Sequence, residues 1–206
     1  MNEPDKSGGL FKFRKTPGDI LIESGLIVFS ILVALAVNQY ASSRADAARA
    51  QRALATIVVE LRTNRDRLVA LRPYQLRVTG EAQSADSSGR TATFAMWRAA
   101  VPSFKGFHTP ELDATAWQST LTTGVAAHIG LDTIAVLSRV YNYQAKLDGY
   151  YASAIPGFDF SDASMRATAR KAYIFLATVV TNQDSLVAQY AAALRILGSR
   201  DARNRP

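Results

Sequence analysis

His108 and His128 are the only imidazoles in the chain, and there is no cysteine. A zinc site needs three or four His, Cys or carboxylate ligands at defined spacing. Two histidines on opposite sides of one short predicted helix do not supply it. The missing cysteines also exclude a disulfide framework and a thiol nucleophile. A Ser/His/Asp set can be written down, but no G-x-S-x-G turn presents a serine. There is no Gly-rich phosphate loop, and the carboxylates show no pairing suited to general acid–base work. The residues therefore predict no catalytic group, no cofactor and no metal. A hydrolase built on His108 or His128 is a third reading, behind the two given below.

Two features hold chemistry that is less bland. Glu23 lies in a long apolar run beside Gly25 and Ser30, with Asn38 at the far end. An acid there pairs with a partner helix or reaches the headgroups, and small or polar residues permit close helix contact. The other is an aromatic set, Trp97, Phe104, Phe107 and Trp117, with Phe158 and Phe160 later. Such rings line a ligand pocket or form core beneath a loop.

The elements that must position these residues begin with the apolar run. Ile20 to Tyr40 is 21 residues, about 31 Å as a helix against a hydrocarbon core of about 30 Å. Twelve residues between Ile20 and Val37 are Leu, Ile, Val or Phe. Together they favour insertion by about 4 to 7 kcal/mol, against about 3 kcal/mol for an acid at mid-bilayer. Glu23 falls in the first turn, where that cost shrinks. Pro17-Gly18-Asp19 reads as a helix start, and Tyr40 suits the interface. Ala34-Leu35-Ala36 has the form of a signal cleavage site, but the helical pattern runs on past it. Lys6, Lys12, Arg14 and Lys15 precede the segment, while Arg44, Arg49 and Arg52 follow it. The tighter basic cluster on the N-terminal side places that end in the cytoplasm.

The net charge is +7, from 24 basic and 17 acidic residues. Such a balance invites nucleic acid or anionic lipid. The arginines are scattered along helical stretches rather than massed, so nucleic acid is not the expected partner. A lipid bilayer is, together with a protein partner or a second copy packed through helices.

Beyond Tyr40 the pattern is helical throughout. Ala47, Ala50, Leu54, Ile57, Leu61, Asn64, Leu68 and Leu71 recur in steps of three and four, and Pro73 predicts the helix end. Gln83–Arg90 reads as a loop, Thr93–Ala100 as a short helix, Val101–Pro110 as irregular, and Asp113–Thr123 as a helix stopped by Gly124. Asp132 is the expected cap of a helix over Thr133–Ser153, with a stripe of Val136, Val140, Tyr143, Leu147 and Tyr150. Ser161 or Asp162 is expected to cap the last helix, Ala163–Leu197, closed by Gly198. Its stripe is Met165, Ala169, Ala172, Leu176, Val180, Val187, Tyr190, Leu194 and Leu197. The fold class is all-α: one N-terminal transmembrane helix continuing into an antiparallel helical bundle. The expected divisions are a basic cytoplasmic N-terminus over 1–19, a membrane helix over 20–40, a helical periplasmic domain over 41–198 and a frayed basic tail over 199–206.

The run Ile27-Val28-Phe29-Ser30-Ile31-Leu32-Val33-Ala34-Leu35-Ala36-Val37-Asn38-Gln39-Tyr40, with Glu23 upstream, resembles the start of a bacterial family of uncharacterised single-pass membrane proteins. Its members show an acidic residue, an ILIAL-like core, then Asn and an aromatic, followed by a charged helix, here Arg44 to Arg72. Ala116-Trp117-Gln118-Ser119-Thr120-Leu121-Thr122-Thr123-Gly124 resembles a second segment of that family, which precedes a Tyr-bearing helix. The two matches cover roughly two-thirds of the chain. Tyr40 departs from the usual Trp, and Thr120 stands where an apolar residue is common. The resemblance implies an anchored helical protein and no activity. The expected function is a non-catalytic accessory protein of the bacterial inner membrane that acts by binding a partner. The alternative is a periplasmic ligand-sensing domain that works through a membrane partner.

Overall fold

The computed structural model describes residues 17–203, and these are helical with no strand among them. Of the expected terminal segments, 1–19 and 199–206, residues 1–16 and 204–206 lie outside the described residues. Five α-helices occur: α1 (Pro17–Ser87), α2 (Phe94–Ala100), α3 (Thr115–Thr122), α4 (Leu131–Ala154) and α5 (Met165–Arg203). The chain divides after Asp46 into two compact units.

The first unit is the N-terminal part of α1. From Ile22 to Ala45 every described residue is exposed, the apolar ones included. Its most apolar stretch has a mean hydropathy of 1.7 and no buried residue. This is a helix long and apolar enough to cross a membrane.

The second unit is a bundle of α1, α4 and α5 with a long connection laid along one side. Burial follows a seven-residue repeat on all three helices. On α1 the buried positions are Ala50, Ile57, Leu61, Asn64, Leu68, Gln75, Val78, Ala82 and Ala85. On α4 they include Thr133, Leu137, Val140, Gln144, Leu147 and Tyr151. On α5 they step without a break from Met165 through Ala169, Ala172, Leu176, Val179, Gln183, Leu186, Tyr190 and Ala193 to Leu197. Each fully buried Leu or Ile contributes about 1.5–3 kcal/mol.

Cross-helix partners fix the directions. Arg72 Nε and Nη2 grip Asp184 at 2.6 and 2.7 Å, and Arg170 lies 3.7 Å from Asp86. Numbers rising on α1 thus match numbers falling on α5, so those helices are antiparallel. Gln144 meets Tyr190 and Tyr151 meets Gln183, which makes α4 and α5 antiparallel as well. Glu60 meets Tyr141 and Asn64 meets Gln144, so α1 and α4 run the same way. A parallel pair requires the chain to return before α4 begins, and the connection through α2 and α3 does that.

Several boundaries differ from the sequence expectation. Helix α1 passes through Pro73 to Ser87. Proline removes one bond, to the Val69 carbonyl, but the buried repeat continues in phase from Leu68 to Gln75 and Ala85, and tertiary packing outweighs that loss. The expected loop over Gln83–Arg90 shrinks to a turn at Ser88-Gly89, with Gly89 at φ 69°. The N-cap of α4 is Gly130, and Asp132 sits in the first turn. Helix α5 starts at Met165, because Ser161 and Asp162 are engaged elsewhere, and it runs past Gly198 to Arg203. The α2 and α3 expectations are close to the observed spans. Thr93 caps α2 by accepting from Met96 N–H, and Gly124 follows α3 at φ 72°.

Candidate functional site

Residues expected to interact within the membrane sit in the first unit. Ser30 Oγ donates to the Leu26 carbonyl at 2.8 Å, so its hydroxyl is satisfied within the helix. A Cβ at Gly25 would meet nothing within 4 Å. Glu23 and Asn38 are exposed. The Arg44 guanidinium lies over the Tyr40 ring at 5.0 Å, one turn away, at the end of the apolar stretch. An aromatic with a cation folded back on it suits a boundary between apolar and polar surroundings.

The aromatic set divides. Trp97, Phe104 and Phe107 come together, with ring centroids 5.0 Å apart for Trp97–Phe104 and 5.2 Å for Phe104–Phe107. Phe158, Phe160 and Phe175 complete the cluster. Trp97 is fully buried, and its Nε1–H finds no acceptor among the described residues. These rings interlock edge to face as core between the connection and α5. Trp117 lies elsewhere and stacks on Tyr141 at 5.4 Å with the planes 2° apart. His108 stacks on Tyr74 at 4.5 Å. No group of three or more His, Cys, Asp or Glu suited to a metal occurs among the described residues.

The sequence reading missed a line of polar residues on α1. Glu60, Arg67, Tyr74 and Glu81 recur every seven residues, and each binds the connection. Glu60 accepts from Ala116 N–H at 2.8 Å and from Tyr141 Oη at 2.6 Å. Arg67 donates to the Glu111 carbonyl at 2.6 Å and to Asp113 Oδ2 at 2.8 Å. Tyr74 Oη donates to the Gly106 carbonyl at 2.7 Å and accepts from Lys105 N–H at 3.0 Å. Glu81 accepts from Ser103 N–H at 2.9 Å and Ser103 Oγ at 2.7 Å. Asn64, one turn from Glu60, acts as a peptide mimic: it accepts from Asp113 N–H at 2.9 Å and donates to its carbonyl at 2.7 Å. The segment from Ser103 to Ala116 is thereby a strap clipped to one helix through its backbone at Ser103, Lys105, Gly106, Glu111, Asp113 and Ala116.

Beneath the strap the core is polar. Gln144 Oε1 accepts from Tyr190 Oη at 2.6 Å and from Asn64 Nδ2 at 3.4 Å. Gln183 donates to Tyr151 Oη. The Gln75 and Gln183 side-chain carbonyls have no partner among the described residues. Burial pushes the phenols of Tyr141 and Tyr190 far up and that of Tyr151 up to about 12, and the Glu60 carboxylate adds to the effect on Tyr141. A phenol held neutral donates hydrogen bonds and fixes register, but does not act as a base at neutral pH.

Several open clefts indent this unit. One of about 460 Å³ lies between strap and α4, lined by Trp117, Tyr141, Gln144 and Asp148 among others. One of about 400 Å³ is lined by Thr109, Asp148 and Tyr151. The largest, about 650 Å³, lies where α1 ends and α5 begins. No protein-family model, curated protein or solved structure matches this chain.

Proposed function

We propose that the protein is a non-catalytic, single-pass accessory protein of the bacterial inner membrane, with its N-terminus in the cytoplasm and its helical bundle in the periplasm, acting by binding a partner protein. The observation that carries this reading is the exposure of Ile22 to Ala45 on all sides. Leu26, Phe29, Leu32 and Leu35 are each 59 to 66% exposed. An apolar surface of that extent is not left in water by a soluble chain, and lipid is the solvent that suits it. Tyr40 and Arg44 at its end support the boundary, and the resemblance of the anchor to a single-pass bacterial family agrees. Asn38 offers a polar contact to a partner helix.

The absence of cysteine makes the test direct. A Ser88→Cys variant, in the turn after α1, is expected to react in intact cells with a thiol reagent that passes the outer but not the inner membrane, and to fractionate at full length with membranes. An Asn38→Cys variant is expected to give a crosslinked adduct in native membranes. Reaction at position 88 only after lysis would overturn the orientation, and a purely monomeric chain at position 38 would overturn the partner.

A further inference from the structure

The largest cleft has the makings of an anion site. It is lined by Asp86, Gly89, Thr91, Ser164, Arg166 and Arg170, with Ala163 and Ala167. Its floor is the start of α5, a helix of 39 residues. The first amides of any helix lack intrahelical acceptors, and here Met165 N–H turns back to the Asp162 carbonyl and Thr168 N–H to the Ser164 carbonyl. Arg166 and Ala167 N–H are left with no acceptor among the described residues. Ser164 stands at the N-cap position, but its hydroxyl is taken by Asp159, at 2.8 Å to Oδ2 and 2.9 Å to the carbonyl. Asp162, the other nearby capping group, accepts from Phe94 N–H at 2.8 Å. The residues that ordinarily quench a helix N-terminus are therefore committed elsewhere.

An independent observation points the same way. Thr91 is 2% exposed, lines this cleft, and makes no side-chain hydrogen bond among the described residues. Its hydroxyl is not sealed from solvent, so it opens on the cleft and can meet a ligand there. Arg166 has no carboxylate partner among the described residues, and Arg170 has only the long 3.7 Å contact to Asp86. Two guanidiniums thus face one carboxylate in the lining. The small residues Gly89, Ala163 and Ala167 leave room beyond a single anion.

We propose that this cleft binds a small molecule through a tetrahedral oxyanion, a phosphate or sulfate group. The Arg166 and Ala167 amides and the Thr91 hydroxyl receive its oxygens, and the Arg166 and Arg170 guanidiniums neutralise its charge. Helix N-termini favour anions through their free amides and the helix dipole, and guanidinium–oxyanion bonds are the strong, charge-assisted kind. The proposal concerns the bundle alone and stands apart from the membrane reading.

The test is calorimetric titration of the full chain in detergent at fixed ionic strength, with inorganic phosphate, inorganic sulfate and glycerol phosphate as separate probes. Saturable binding is expected, tighter for the ester if the natural ligand carries an organic body and equal among the three if the free anion is the ligand. Arg166→Gln and Thr91→Val are each expected to weaken it by about tenfold or more. Arg139→Gln, a surface arginine on α4, is expected to leave it unchanged. Arg166 is exposed, so that variant folds even if Thr91→Val does not. The amides of Arg166 and Ala167 are expected to exchange more slowly with phosphate bound. No saturable heat with any probe, unchanged affinity in Arg166→Gln, or equal weakening in Arg139→Gln would each overturn the proposal.

Discussion

Tyr141, Tyr151 and Tyr190 set how the bundle responds to alkali. Burial holds all three phenols above their ordinary value. In the unfolded chain a phenol titrates near pH 10. A raised folded value means that the folded state resists losing the proton, so the stabilisation is fully present below about pH 10 and is lost as pH rises from there toward the folded values. These three phenols are expected to ionise, in absorbance at 295 nm, only together with loss of helical circular dichroism. Ionisation of the three with the helix signal intact would refute the burial. By contrast the Arg72–Asp184 pair, which holds the Asp184 carboxyl below its usual range, is about half exposed. Its contribution fades as pH falls through the acidic range and is small, because solvent screens the pair. At this scale little was legible beforehand. Trp97, Phe104, Phe107 and Trp117 were expected as one group; the first three meet, while Trp117 stacks on Tyr141 elsewhere. Asn64 was placed on the buried stripe, but Gln75, Gln144 and Gln183 were not, since a polar residue in a core is recognised only through its partners.

The elements were legible where periodicity was strong and misphased where polar residues interrupted it. Val180, Val187 and Leu194 were expected inside. The repeat instead passes through Val179, Gln183, Leu186 and Ala193, while Tyr190 is buried as expected. Reading glutamine as outward moved the stripe by one residue. The same happened on α4, where Thr133 and Gln144 hold buried positions and Tyr143 and Tyr150 lie at the edge. Pro73 was read as a stop because its local preference is unambiguous, and the seven-residue burial on both sides of it overrides that preference. The strap was invisible for a different reason: its clips are spaced by sevens on α1 but irregularly along the strap. Tyr74→Phe tests the device. Losing this hydroxyl leaves Lys105 N–H and the Gly106 carbonyl without their partner, so the amides from Ser103 to Gly106 are expected to exchange faster. Global stability should fall by only about 0.5–1.5 kcal/mol. Unchanged exchange across the strap would mean that the clip at Tyr74 holds nothing.

For the whole molecule, the all-α class and the long apolar helix were both readable from the first forty residues and the stripes that follow. The direction of α4 relative to α1 was not, because heptad patterns carry no polarity. A chain beginning at Ala47 is expected to fold and remain in solution without detergent, since the described apolar side chains of the bundle are mostly buried and those exposed, such as Val59, Val69 and Leu131, are scattered. Its circular dichroism and urea midpoint should match those of the full chain. Aggregation of the shorter chain would show that the bundle itself carries a lipid-facing surface.

The parallel course of α1 and α4 has a consequence for how the protein is made. The inner face of α1 meets α4 and the strap as well as α5, the last of the described helices to be synthesised. At about 5–20 residues per second, roughly a hundred intervening residues take some 5–20 s to emerge. Throughout that interval part of the apolar side of α1 waits bare, so this chain is a natural client for a holding chaperone, and its biogenesis should be limited by the arrival of α5.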